Sequence, residues 1–214
     1  MVPYTKIKDG PEPWNGATHK AVAKAIARES IVLLKNKGNI LPISSSTKSM
    51  LVTGPTAASL DVLLGNYYGI NDRMITLLEG ITGRIPEGMG LEYHPGTPLK
   101  HPREIKSTWA PGMAQSADFA IVCAGFSSFL EGEEGESLLS PENGDRADIT
   151  LPQSQIDYIK ELAIHGARII LVLTGGSPIA LGEIEDMVEA ILFVWYPGME
   201  GGRAVADVIF GDHS

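Results

Sequence analysis

With 214 residues, 43% of them hydrophobic and 20% charged, the chain has the composition of a globular protein built around one sizeable core, which excludes a disordered or fibrous class. Its formal net charge of −9, with no Lys/Arg cluster to offset it locally, argues against nucleic acid as a partner and for a small neutral or polar ligand. A single cysteine excludes a disulfide framework, and the five histidines (His19, His94, His101, His165 and His213) show no ligand spacing, so no metal site is expected.

Residues 1–16 are Pro-rich through Pro3, Pro11 and Pro13 and read as an interdomain linker. The start has no signal-peptide core, and no apolar stretch approaches the roughly 20 residues that span a bilayer. A soluble chain without a membrane partner is expected. Its compartment (periplasmic, secreted or cytoplasmic) depends on what lies upstream.

Residues 17–214 read as one domain. Ala21, Val22, Ala25, Ile26, Ile31, Val32 and Leu33 recur at helical spacing, predicting a helix over 18–35 with Thr18 as N-cap and an end near Gly38. Short apolar runs follow at 50–53, 91–93, 119–124, 168–173 and 190–195. The last three are nearly continuous in Val, Ile, Leu and Ala, as strands covered on both faces should be. Cys123 sits inside the third run, where a thiol behaves as a small hydrophobe. Amphipathic segments at 153–165 and 200–210 complete a strand–helix alternation. The expected fold is α/β: a three-layer sandwich with a mostly parallel sheet flanked by helices on both faces.

The long irregular region 125–147 carries six acidic side chains between Glu131 and Asp145. It follows a core strand, and in an open α/β sheet ligands bind outside the carboxyl ends of the strands. Within it, Glu131, Glu133, Glu134 and Glu136 crowd around Gly132 and Gly135. Like charges this close raise the pKa of at least one carboxyl group, as a general acid near neutral pH requires. A merely solvated acidic loop is the bland alternative. A calcium loop fits less well, because the alternating Asp/Asn ligands are missing. Downstream, Asp145 and Arg146 read as anchors of the loop's return.

Three further motifs stand out. Gly65-Asn66-Tyr67-Tyr68-Gly69 offers two aromatics either to a sugar face or to the sheet edge. Thr174-Gly175-Gly176-Ser177-Pro178 follows a strand, and its N–H groups either hold an anion or form a bare turn. Gly201 and Gly202 suggest close backbone packing. No phosphate loop and no G-x-S-x-G elbow is present, which removes the main support for nucleotide, serine-hydrolase or metal-hydrolase chemistry.

Taken together, Ala27 to Asn36 with Leu41-Pro42, Gly65 to Gly69, Leu130-Glu131-Gly132-Glu133, Gly144-Asp145-Arg146, Leu151-Pro152 with Gln155, and Trp195-Tyr196-Pro197-Gly198 resemble the C-terminal domain of glycoside hydrolase family 3, most closely its β-xylosidase branch and then its β-glucosidases. The resemblance implies an upstream (β/α)8 barrel bearing an aspartate nucleophile, and an α/β sandwich whose acidic loop supplies the acid/base. It points to Glu133 for that role, with Glu131 and Glu134 as runners-up, and to β-linked xylosides or glucosides as substrates. No cofactor is implied. Without a barrel the chain is expected to fold but not to hydrolyse glycosides. The rival expectation is a non-catalytic carbohydrate- or protein-binding α/β module.

Overall fold

The structure is a computed structural model that describes residues 14–69, 71–101, 109–133 and 144–213. Helix α1 (Ala17–Ser30) leads into strand β1 (Val32–Asn36), followed by β2 (Ser49–Thr53), α2 (Leu77–Thr82), β3 (Gly90–His94) and α3 (Trp109–Ser116). Strand β4 (Phe119–Gly125) runs into a single helical turn, α4 (Ser128–Glu131), and the chain ends with α5 (Gln153–Ile164), β5 (Ile169–Thr174), β6 (Ala190–Trp195) and α6 (Gly201–Phe210). The six strands form one sheet in the order β1-β6-β5-β4-β2-β3. All neighbours are parallel except β1, which pairs antiparallel to β6 with Val32 opposite Phe193.

The fully buried central strands behave as their composition demands, alternate residues feeding two separate cores. Leu51, Ala120, Val122, Leu171 and Leu173 pack on one face with Ala110 and Ala114 of α3 and Tyr158, Ile159 and Leu162 of α5. Met50, Val52, Ile121, Cys123, Val172 and Leu192 pack on the other with Leu77 and Ile81 of α2 and Val205 and Ile209 of α6. Burial pushes the Cys123 thiol up to about 12, so it stays protonated. The expected three-layer sandwich with a mostly parallel sheet is therefore the observed one. Among the described residues, no helix is long and apolar enough to cross a membrane.

The first element differs from the expectation of a helix over 18–35. The helix starts after Gly16 rather than being capped by Thr18, and Ser30 ends it. Ile31 is extended and leads into the antiparallel strand, whose pairing starts at Val32. The physical reason is local: Ile31 and Val32 are β-branched and favour extended backbone, and pairing with the open edge of β6 satisfies every second backbone group. Of the expected apolar stripe, Val22, Ile26, Val32 and Leu33 stay exposed, as does Leu34 beside them, and Ala27 is the buried residue of the helix. Gly38 does adopt the left-handed conformation, but in a short 3-10 turn after β1. Instead of apolar burial, α1 is held by Lys24, 2.7 Å from the buried carboxylate of Asp207 on α6, and by Trp195 Nε1, which donates to the carbonyl of Ser30 at 3.0 Å.

Gly201 and Gly202 do mark close packing. Helices α2 and α6 touch backbone to backbone: a Cβ on Gly202 would lie 1.9 Å from the Thr76 carbonyl oxygen, and one on Gly80 would lie 2.0 Å from the Gly202 carbonyl. Neither neighbour can yield, because Thr76 is locked in a capping box with Glu79. We therefore expect Gly202→Ala to lower unfolding free energy by about 3 kcal/mol, read as a lower urea midpoint at unchanged slope. The exposed Gly112 of α3 meets nothing within 4 Å, so Gly112→Ala serves as the contrast and should be neutral or slightly stabilising.

Candidate functional site

In the sheet order, β2 has β3 on one side and β4 on the other, so the connections leaving β2 and β4 diverge at a crevice. Such topological switch points hold the ligands of doubly wound sheets. The acidic loop leaves from the β4 side, and its origin is fixed from within the core. Buried Gln155 of α5 accepts from Gly125 N at 2.7 Å and donates to the Gly125 carbonyl at 2.8 Å and the Leu99 carbonyl at 2.7 Å. Ser127 then caps α4 by accepting from the backbone N–H of Leu130.

Glu131, at the end of α4, turns its carboxylate inward, with only 12% of the side chain exposed. Gly176 N, in the turn after β5, donates to Glu131 Oε2 at 2.7 Å. The hydroxyls of Ser177 and Tyr196 donate to the same carboxylate. The Arg146 guanidinium lies 3.5 Å from its other oxygen. Thus the turn Thr174 to Pro178 does hold an anion, and that anion is Glu131. Burial, together with the bond to Glu131, pushes the Tyr196 phenol well above its ordinary pKa and keeps its proton on the donating oxygen.

Gly132 follows with φ 78° and ψ 177°, a backbone that glycine alone adopts readily. The chain reverses there, and Glu133 faces away from Glu131. Its Oε2 accepts from Asn66 Nδ2 and its Oε1 from Tyr67 Oη, both at 2.8 Å. Asn66 and Tyr67 lie on the connection leaving β2, so this contact closes the crevice at the switch point. Tyr67 is 91% exposed and itself left-handed, φ 58°. The crowding expected of the acidic cluster is therefore relieved between Glu131 and Glu133, which diverge to separate donors. Glu134 and Glu136 lie outside the described residues.

Arg146 returns the loop. Its Nη2 donates to Ser177 Oγ and to the Pro178 carbonyl, each at 2.6 Å, its backbone N–H donates to the Glu131 carbonyl at 3.2 Å, and its Cζ lies 4.0 Å above the Phe126 ring. Asp145 is exposed and lines a cleft of about 450 Å3 with Asn66, Gly132, Arg146, Ile149 and Tyr196, a size ordinary for a small-ligand site. The neighbouring anchor is Asp148, whose carboxyl is held below its ordinary pKa by the Thr150 N–H at 2.6 Å. The site thus gathers Asn66, Tyr67, Glu131, Glu133, Arg146, Ser177 and Tyr196 from the carboxyl ends of four strands. Sequence reading missed the parts played by Asn66, Ser177 and Tyr196. The strand–Gly-Gly-Ser turn carried the signal, but the identity of its anion did not. Among the described residues, no group of His, Cys, Asp or Glu side chains is arranged to hold a metal ion.

Residues 31–214 match the family model described as the glycosyl hydrolase family 3 C-terminal domain. A β-xylosidase/α-L-arabinofuranosidase of Medicago sativa is 36% identical over 99% of the chain and 26% of its own length. The periplasmic β-glucosidase of Salmonella typhimurium is 34% identical over 92% of the chain and 27% of its own length. The chain thus spans about a quarter of the length of these relatives. A Listeria innocua β-glucosidase solved with isofagomine superposes with a TM-score of 0.82 at 27% identity, covering 98% of this chain and 28% of its own. A family 3 exo-β-xylosidase carrying a xylobiose aziridine probe gives 0.77 at 33% identity, covering 90% of this chain and 24% of its own.

The bond to Glu133 and the repulsion between the two anions hold the Tyr67 phenol above its ordinary pKa. Ultraviolet titration of the chain minus that of its Tyr67→Phe variant should isolate a phenol ionising above the ordinary value. In a Glu133→Gln background the same difference should fall back toward it.

Proposed function

The chain belongs to the glycosyl hydrolase family 3 C-terminal domain family, and from that premise we propose that it is the acid/base half of a split β-glycosidase site. The observation that carries this reading is the contrast between two neighbouring carboxylates. Glu131 is mostly buried with its oxygens committed to the Gly176 turn, Tyr196 and Arg146. Glu133 lies at the mouth of the crevice, held among the described residues by two side chains of another loop. A general acid must reach the leaving-group oxygen, and of the two only Glu133 does so without dismantling the site.

In the retaining scheme two carboxyl groups about 5–5.5 Å apart flank the glycosidic bond. An aspartate of an upstream barrel, reached through residues 1–16, attacks the anomeric carbon while Glu133 gives its proton to the departing oxygen. Glu133 then takes a proton from the water that releases the sugar from the aspartate ester. The names of the relatives support β-linked xylosides or glucosides as substrates. The exposed rings of Tyr67 and Tyr68 border the site and are suited to stacking on the sugar beyond the cleaved bond. No cofactor enters the scheme. Residues 17–214 hold one of its two carboxyl groups, so alone they form no glycosyl-enzyme intermediate.

The test compares hydrolysis of aryl β-xylosides and β-glucosides by this chain and by a barrel-containing parent. Turnover is expected from the parent and not from the chain alone. In the parent, Glu133→Ala should lower kcat at least about 100-fold, with azide restoring turnover as glycosyl azide. A parent indifferent to Glu133→Ala would instead favour the non-catalytic binding module.

A further inference from the structure

Glu131 has the charge of a catalytic group and the surroundings of a structural one. Resting on the assignment of Glu133 above, we propose that Glu131 is a positioning residue whose carboxylate, clamped by Gly176, Ser177, Tyr196 and Arg146, fixes the base of the acidic loop and so sets where Glu133 is presented.

Three independent features support the clamp. Both ends of the loop meet at one place: Glu131 at its start and Arg146 at its end bind the same Ser177 hydroxyl, and the Arg146 N–H closes on the Glu131 carbonyl. The turn is shaped for the carboxylate, since a Cβ on Gly176 would lie 2.9 Å from Glu131 Oε2 and 2.9 Å from Tyr196 Cε2. The conformation of Gly132 then gives the chain one direction in which to leave the clamp, and that direction delivers Glu133 to Asn66 and Tyr67. A displacement of about 1 Å at a reacting group can cost 100-fold in rate, so a residue that holds this base acts on the reaction without touching substrate.

Two measurements test the proposal, and the first is independent of activity. In the chain itself, Glu131→Gln places an amide N–H against donors that already face it, and Tyr196→Phe removes one of those donors. Each should move Glu133 off Tyr67 and return the Tyr67 phenol to its ordinary titration. In the barrel-containing parent, Glu131→Gln should lower kcat about 10- to 100-fold with little change in KM. It should keep the alkaline limb of the pH–rate profile and gain nothing from azide, whereas Glu133→Ala loses that limb and is rescued. If the Tyr67 titration and kcat are both unmoved by Glu131→Gln, the positioning role is wrong while the assignment of Glu133 survives. If azide rescues Glu131→Ala and Glu133→Ala is fully active, both readings fall and Glu131 is itself the acid/base. If Tyr67 responds but no Glu133 variant alters turnover, the clamp stands and the catalytic reading does not.

Discussion

A carboxylate withdrawn from water must be repaid in hydrogen bonds, because an uncompensated one costs several kcal/mol even after relaxation. For Glu131 the donors come from three places far apart in sequence: a backbone N–H at Gly176, hydroxyls at Ser177 and Tyr196, and the guanidinium of Arg146. Only the sheet brings them together, since β4, β5 and β6 are parallel neighbours whose carboxyl ends lie side by side. Once the carboxylate is seated there, much of the rest follows. Residue 176 must lack a side chain, the loop must return through Arg146, and Glu133 must depart from Gly132 toward the β2 connection.

The same logic runs inward. The loop has a defined origin because Gln155 replaces the hydrogen bonds that Gly125 loses as β4 ends, and Gln155 is placed by α5, whose Tyr158, Ile159 and Leu162 anchor one core. Tyr158 also reaches across the layers to Thr53 at the end of β2, oxygen to oxygen at 2.5 Å. Polar bonds of this kind contribute about 1 kcal/mol each when satisfied and cost more when broken. They therefore specify the register of strand ends more than they add stability. Packing of the apolar strands makes the sheet; a small set of buried polar groups decides where its loops point.

That division explains what was legible in the sequence. Strands β4, β5 and β6, and most of β2, were readable because each is a short apolar run buried on both faces, a pattern that needs no knowledge of its partners, while the edge strand β3, largely exposed, was marked only by the short run around Leu91 and Tyr93. Helices α5 and α6 were readable from amphipathic spacing. The end of α1 was not, because Ile31 to Leu34 satisfies a helical period and a strand equally well, and what decides between them is the open edge of β6, more than 150 residues away in the chain. The site was legible as a region and not as roles. Glu131 and Glu133 are equivalent in composition and spacing, and what separates them is the backbone turn at Gly132 and the location of donors on other loops. The relation between Glu131 and the Gly-Gly-Ser turn joins two motifs each visible on its own, but their pairing is a property of strand order.

On the proposed reading, the arrangement also answers a difficulty of any site divided between domains. Two carboxyl groups that must stand about 5–5.5 Å apart are carried here on separate folding units, so errors in placing either unit add to errors within each loop. A long loop closed only by its chain ends would leave its tip free to wander. Here Glu131 and Arg146 both bind at the turn after β5, and Asn66 and Tyr67 bind Glu133 just past Gly132. Those two donors sit on exposed side chains, where each bond is worth about 1 kcal/mol, so protonated Glu133 can give up one of them at small cost and donate its own proton to the glycosidic oxygen. A buried Glu131 that keeps its partners and a Glu133 that exchanges its own readily are the physical requirements of a group that must first give up a proton and then recover one.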